Sequence, residues 1–170
     1  MTVIASADMT DIRKRGRETQ TLAFIVLALA ATGVVGDLLI APAIDLVHGQ
    51  ALAPMLTRVR DNLVGAIPVL ILLSGLWSAQ RVFGRVAEGD VFTAANAAGV
   101  GHIGQAMGWC GFAEVVLVPT IKAGIAHTGW LDFNFEGWAI VLSALGGAVI
   151  LFGRIWALAV EIKTDADQIV

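Results

Sequence analysis

Four long apolar runs, each fenced by charged residues, leave this chain few ways to fold. They are Thr21 to Gly36, resumed by Leu38 to Ala41 beyond Asp37; Leu63 to Ala79; Ala94 to Val118; and Gly137 to Phe152, resumed by Ile155 to Val160 beyond Arg154. A helix crosses a bilayer with about 20 mainly apolar residues, and each run reaches that length once its interface residues are included. A soluble domain of 170 residues has too little interior to bury four such segments on every side. Only 15% of the residues are charged and 57% are hydrophobic, whereas soluble domains carry about 25% charge. Lipid is therefore the expected solvent.

The expected fold is all-α: an integral membrane bundle of four transmembrane helices at about 19–42, 62–82, 94–118 and 136–160. Together they make one domain, 19–163, between a polar basic segment, 1–18, and a short tail, 164–170. Pro42 is read as the end of the first helix and Pro119 as the end of the third, with a loop over 43–60 and a mild kink at Pro68. Proline removes a backbone donor, and membrane helices tolerate it when neighbours satisfy the freed carbonyl. The basic cluster ahead of the first run also suits a signal peptide. Its leading segment is too long for one, and the apolar run exceeds the usual length, so a first spanning helix is the better reading.

Lysine and arginine set the orientation of such a chain. With four crossings, Arg13, Lys14, Arg15, Arg17, Arg81, Arg85, Arg154 and Lys163 share one side, and Arg58, Arg60 and Lys122 the other. The asymmetry puts both termini and the central linker in the cytoplasm. Trp130 and Trp138 then fall at the outer interface and Trp156 at the inner one, where amphipathic rings belong. The basic N-terminal cluster could attract anionic lipid, but a topology determinant suffices to explain it. A net charge of −3 gives no reason to expect direct contact with nucleic acid. A single cysteine, Cys110, excludes an intramolecular disulfide.

An internal match runs between Leu73–Val86 and Leu142–Ile155. Without a gap, seven of fourteen positions are identical, at an offset of 69 residues. Both copies close on Phe-Gly-Arg: Phe83-Gly84-Arg85 and Phe152-Gly153-Arg154. Two helical hairpins entering from the same side would form a parallel repeat, and Arg154 would then be the counterpart of Arg85.

Between the second and third runs lies Glu88-Gly89-Asp90-Val91-Phe92-Thr93-Ala94-Ala95-Asn96. Thr93 is a good N-cap, with Asn96 in the position where Glu or Gln usually reaches back. This junction, with the tail Glu161 to Val170, resembles a bacterial membrane family, domain-of-unknown-function family 2975, in which a Gly-x-x-Phe-Thr-x-x-Asn phrase precedes the third helix. The tail has Gln168 where that family usually has Thr. The resemblance would cover about residues 18–170. It implies four helices in a bacterial inner membrane and a small helix-turn-helix regulator encoded nearby. It carries over no catalytic residue.

Two acids interrupt apolar runs, Asp37 and Glu114. Each lies roughly 27 Å from the inner start of its helix at about 1.5 Å per residue, near the outer rim. An ionisable residue in a membrane span raises the expectation of an ion, proton or ligand site. An ion-paired rim with Arg58, Arg60, Asp61 or Lys122 is the plainer reading, and the preferred one. His48, His102 and His127 are scattered, without metal-ligand spacing. Ala97, Gly101, Gly104, Gly108 and Gly111 recur every three or four residues on one helix face. Small residues allow close backbone packing in lipid, within the chain or against a second copy; the same chain is preferred.

No phosphate loop, nucleophile–base pair or paired-cysteine motif is visible, so catalysis and a cofactor are not expected. The leading expectation is a non-enzymatic inner-membrane protein, regulatory or sensory through its cytoplasmic faces, with the bilayer and a helix-turn-helix regulator as partners. A small transporter or channel using the rim acids is the alternative.

Overall fold

A computed structural model of the chain describes residues 2–49, 51–129 and 131–169, and the side chains of 13–44, 46–49, 51–129 and 131–165. Trp130 lies outside the described residues. Four helical stretches are long and apolar enough to cross a membrane: Arg13–Ile44, Leu52–Glu88, Ala94–Ala126 and Gly137–Asp165. The first span is built of α1 (Thr2–Val35), a π-helical turn (Gly36–Ile40) and α2 (Ala41–Val47). The second is α3 (Leu52–Glu88). The third is α4 (Ala94–Phe112), a second π-helical turn (Ala113–Leu117) and α5 (Val118–Ala126). The fourth is α6 (Gly137–Ile169). No strand occurs among the described residues.

The helices run further than their apolar cores. α3 alone has 37 residues, about 56 Å at 1.5 Å each, against a hydrocarbon core about 30 Å thick. The basic segment before residue 19 is not separate from the first span: α1 already includes it. The expected loop over 43–60 shrinks to the residues between Val47 and Leu52.

Neither proline ends its helix. The first span passes through Pro42 to Val47, and the third through Pro119 to Ala126. The physical reason lies just upstream in both. A proline has no N–H and crowds the carbonyl four residues back. A π turn widens the helix by one residue at that point. The Ala41 N–H bonds the Gly36 oxygen, five residues back, and the Val118 N–H bonds the Ala113 oxygen in the same way.

The four spans of the bundle stand in an open row. The first packs on the second, the second on the third, and the third on the fourth. Among the described residues no backbone approach joins the first span to the third or fourth, or the second to the fourth. None of the most apolar stretch of the first span is buried. Burial is shallow because small residues make the contacts: Ala66, Ala79, Ala97, Ala106, Ala113, Ala123 and Ala139 are all core residues. Tight helix approach through small side chains is the usual basis of association in lipid, where hydrophobicity supplies little drive.

The glycine-lined face of α4 meets α6. A methyl group on Gly104 would sit 2.7 Å from both the Gly146 oxygen and the Ile150 nitrogen, and one on Gly111 would collide with Ser143 and the Ala139 oxygen. Gly153 in turn leaves no room against Ala97 and Gly101. The packing is within the chain. Gly101 and Gly108 differ from their neighbours, because a methyl group on either would meet nothing within 4 Å. The second span docks on α4 through other residues: Gly75 against Ala106, and Val82 against Gly99.

Candidate functional site

Polar side chains gather at the two ends of the row. At the end holding the termini, the α3–α4 connection is closely tied. Gly89 caps α3 with φ of 102°; its N–H bonds the Val86 oxygen at 3.1 Å and the Asp90 N–H bonds the Arg85 oxygen at 2.9 Å. That double closure needs a left-handed residue, hence glycine. A side chain at Gly89 would also meet the Arg13 guanidinium, 2.6 Å from its Nη2. The cation thus lies against a helix C-terminus, where the peptide dipoles favour positive charge.

Thr93 caps α4 by accepting from the Asn96 N–H at 3.2 Å. The Asn96 side chain does not reach back to Thr93. It is fully buried and donates to the carbonyls of Asp90 and Val91, while its oxygen accepts from Arg85 Nη1 at 3.2 Å. One amide thereby joins the end of the second span, the linker and the start of the third. Phe92 and Phe152 close on Trp156, with ring centroids 6.4 and 5.8 Å away, and Lys163 lies 5.9 Å over the Phe92 ring.

At the far end, Asp37 and Glu114 occupy matched places. Each is the second residue of a π turn, and each precedes a proline by five residues. The freed carbonyls find donors from the next element. Asn62 Nδ2 donates to the Asp37 oxygen at 2.9 Å. The Asn134 N–H donates to the Val115 oxygen, four residues before Pro119, at 3.0 Å. A carbonyl without a partner in a membrane span is costly, and each of these bonds, one from a side-chain amide and one from a backbone N–H, serves a carbonyl beside a proline.

Asp37, Asp61, Asn62 and Lys122 line one cavity of about 280 Å3, with Val34, Gly65 and Ala66 among its apolar walls. Arg60 pairs with Asp61, its Nη2 2.9 Å from Oδ1, but does not line the cavity; nor does Arg58, in the second turn of α3. Glu114 stands apart from it. Its charged neighbours are Glu136 and Lys122, so Lys122 is the group shared between the two acids. Glu136 accepts from the Trp138 indole N–H and from Asn134 Nδ2, the latter at 3.0 Å. Those two bonds, the indole's first, hold its carboxyl below the usual range.

Of the rim residues singled out in the sequence, the cavity brings together Asp37, Asp61 and Lys122. Asn62 and Asn134 escaped sequence reading. The signal that could have found them is the repeated acid-x-x-x-x-Pro spacing of Asp37 to Pro42 and Glu114 to Pro119; two prolines in apolar runs demand outside donors. Among the described residues no group of three histidine, cysteine or acidic side chains could hold a metal ion. No family model matches the chain, and neither a curated protein nor a solved structure does; the resemblance at the Phe-Thr-x-x-Asn junction finds no support there.

Proposed function

We propose that this is a non-enzymatic, multi-pass protein of a bacterial inner membrane that relays the state of the far-end cavity to the helical surface at the termini. Both termini face the cytoplasm in this reading, as the lysine and arginine bias argues, and the cavity faces outward. The hairpins form a parallel repeat, supported by the matched π turns and by Gly84 and Gly153, each of which abuts the preceding span. The cytoplasmic partner is a protein, and a helix-turn-helix regulator is the kind implied by the family resemblance.

One observation carries the reading. α3 bears the cavity residues Asp61 and Asn62 near one end and Arg85 at the other, without a break in its helix. The separation is about 35 Å at 1.5 Å per residue. A rigid helix with polar contacts at both ends couples them when it has two arrangements that both ends bias. Hydrogen exchange in lipid nanodiscs tests it. Asp61→Asn and Lys122→Ala should alter protection of the 89–93 linker. An unchanged linker in both variants rules out the relay.

The second reading, a transporter, draws on the paired acids Asp37 and Glu114. Against it, the hydroxyls within the spans at Thr32, Ser74 and Ser143 each bond a carbonyl of their own helix and offer no path. Proton flux into proteoliposomes, lost in Asp37→Asn, would favour transport over the relay.

A further inference from the structure

Near the terminal end, a groove of about 520 Å3 runs along the outer seam of α4 and α6. Ala97, Gly101 and Gly153 form part of its floor, and His102, Gln105 and Arg154 line it as polar groups. All three polar side chains are exposed. None has a hydrogen bond or ion pair with another described residue. Yet His102 and Gln105 belong to the third apolar span and Arg154 to the fourth. Polar groups left unpaired in hydrocarbon are costly, and a cation more so. Arg85, at the matching place in the other hairpin, is satisfied by Asn96 of the next span. Arg154, on the fourth span, has no such partner among the described residues.

We propose that this groove binds an anionic phospholipid from the leaflet nearest the termini. Arg154 and His102 take the phosphate. Gln105 lies three residues beyond His102 along α4, about 4.5 Å further into the bilayer. That is the order in which a glycerol ester follows its phosphate, and the Gln105 amide donates to the ester carbonyl. One acyl chain lies along the small-residue floor. The charge matches: Arg13, Arg17, Arg81 and Arg85 crowd the same end, and basic residues draw anionic headgroups. A helix about 10 Å across would place little more than one turn in this volume, so a second copy is the poorer occupant.

Native mass spectrometry of the delipidated full chain tests the assignment, with phosphatidylglycerol, phosphatidylcholine of the same acyl chains, and soluble glycerol phosphate as probes. Phosphatidylglycerol should bind more tightly than phosphatidylcholine. Arg154→Gln should weaken it about fivefold, the scale of one cation near an anionic headgroup, and Arg154→Lys should retain it. Gln105→Ala should weaken both lipids, since both carry the ester. Arg81→Gln, at the same end but over the Trp77 ring, should change binding less than twofold. Size-exclusion profiles before lipid is added confirm that each variant is folded. Equal binding of the two lipids, or equal losses in Arg154→Gln and Arg81→Gln, would overturn the site in favour of a diffuse basic surface. Competition by glycerol phosphate as strong as by the lipid would overturn the lipid as its occupant. So would a dimer that Arg154→Gln abolishes while lipid binding is unchanged.

Discussion

Asp37 and Glu114 stand at the same place in two different spans: second in a five-residue π turn, five residues before a proline. Each turn leaves carbonyls that its own helix cannot serve, and each time an asparagine from the following element donates to one of them, at 2.9 Å for Asn62 and 3.0 Å for Asn134. In both hairpins a donor from the following element serves a carbonyl just before the proline. A side-chain amide does it in the first hairpin and a loop N–H in the second.

Asn62 can be tested directly. Asn62→Ala removes the donor to the Asp37 carbonyl in an exposed bond, and the loss of such a hydrogen bond costs about 0.5–1.5 kcal/mol. Thermal unfolding in detergent should shift downward accordingly. If Pro42→Ala is added, the restored N–H can serve the helix and part of the loss should return. No recovery in the double variant would mean that Asn62 acts elsewhere.

Gly104 and Gly108 form one small-xxx-small pair, yet their substitution should differ. A methyl group on Gly104 would press on the backbone of Gly146 and Ile150, whereas one on Gly108 meets nothing within 4 Å. Overpacking of this kind costs about 1–3 kcal/mol. Gly104→Ala should therefore lower Tm and folded yield, and Gly108→Ala should leave both near wild type. Equal losses at both positions would mean that Gly108 is packed as closely as Gly104, and no loss at Gly104 would place the helix contact elsewhere on α4.

The Asn96 amide is fully buried and serves two carbonyls and one guanidinium. Asn96→Leu fills the same space but leaves all three unpaired. The expected loss is at least about 2 kcal/mol, with faster exchange of the 89–93 amides. Asn96→Asp should also destabilise, because a carboxylate accepts from Arg85 but has no protons for Asp90 and Val91. A wild-type melt in Asn96→Leu would show that the linker holds without it.

Glu136 makes the far end sensitive to acid. Its folded carboxyl titrates below the usual value of about 4.3. A depressed carboxyl adds stability that is present above the unfolded value and lost as pH falls through the folded one. Trp138 fluorescence should report that step at a pH below 4.3, and Glu136→Gln should abolish it. In a protein carrying Trp138→Phe, which lacks the strongest of the two bonds, the Glu136 titration followed by NMR should move upward. A step at or above the ordinary value would remove the indole bond from the account.

That four helices are long and apolar enough to cross a membrane was legible in the sequence alone. Apolar runs of that length form helices in lipid, because a helix bonds nearly all of its own backbone amides. Thr93 as a cap and the small-residue face of α4 were legible for the same reason: both are local, set by spacing along one helix. The run of the helix through Pro42 and Pro119 was not, since only folding brings the donors of Asn62 and Asn134 to the carbonyls beside those prolines. Nor was the open row. Periodicity reveals that α4 has a small-residue face but not that it meets α6, or that Gly108, on that same face, has space beside it. That Asp37, Asp61 and Lys122 share one cavity while Glu114 stands apart was decided by tertiary structure too. A π turn rotates everything beyond it by an extra residue, and no pattern of 3.6 can show where those side chains then point.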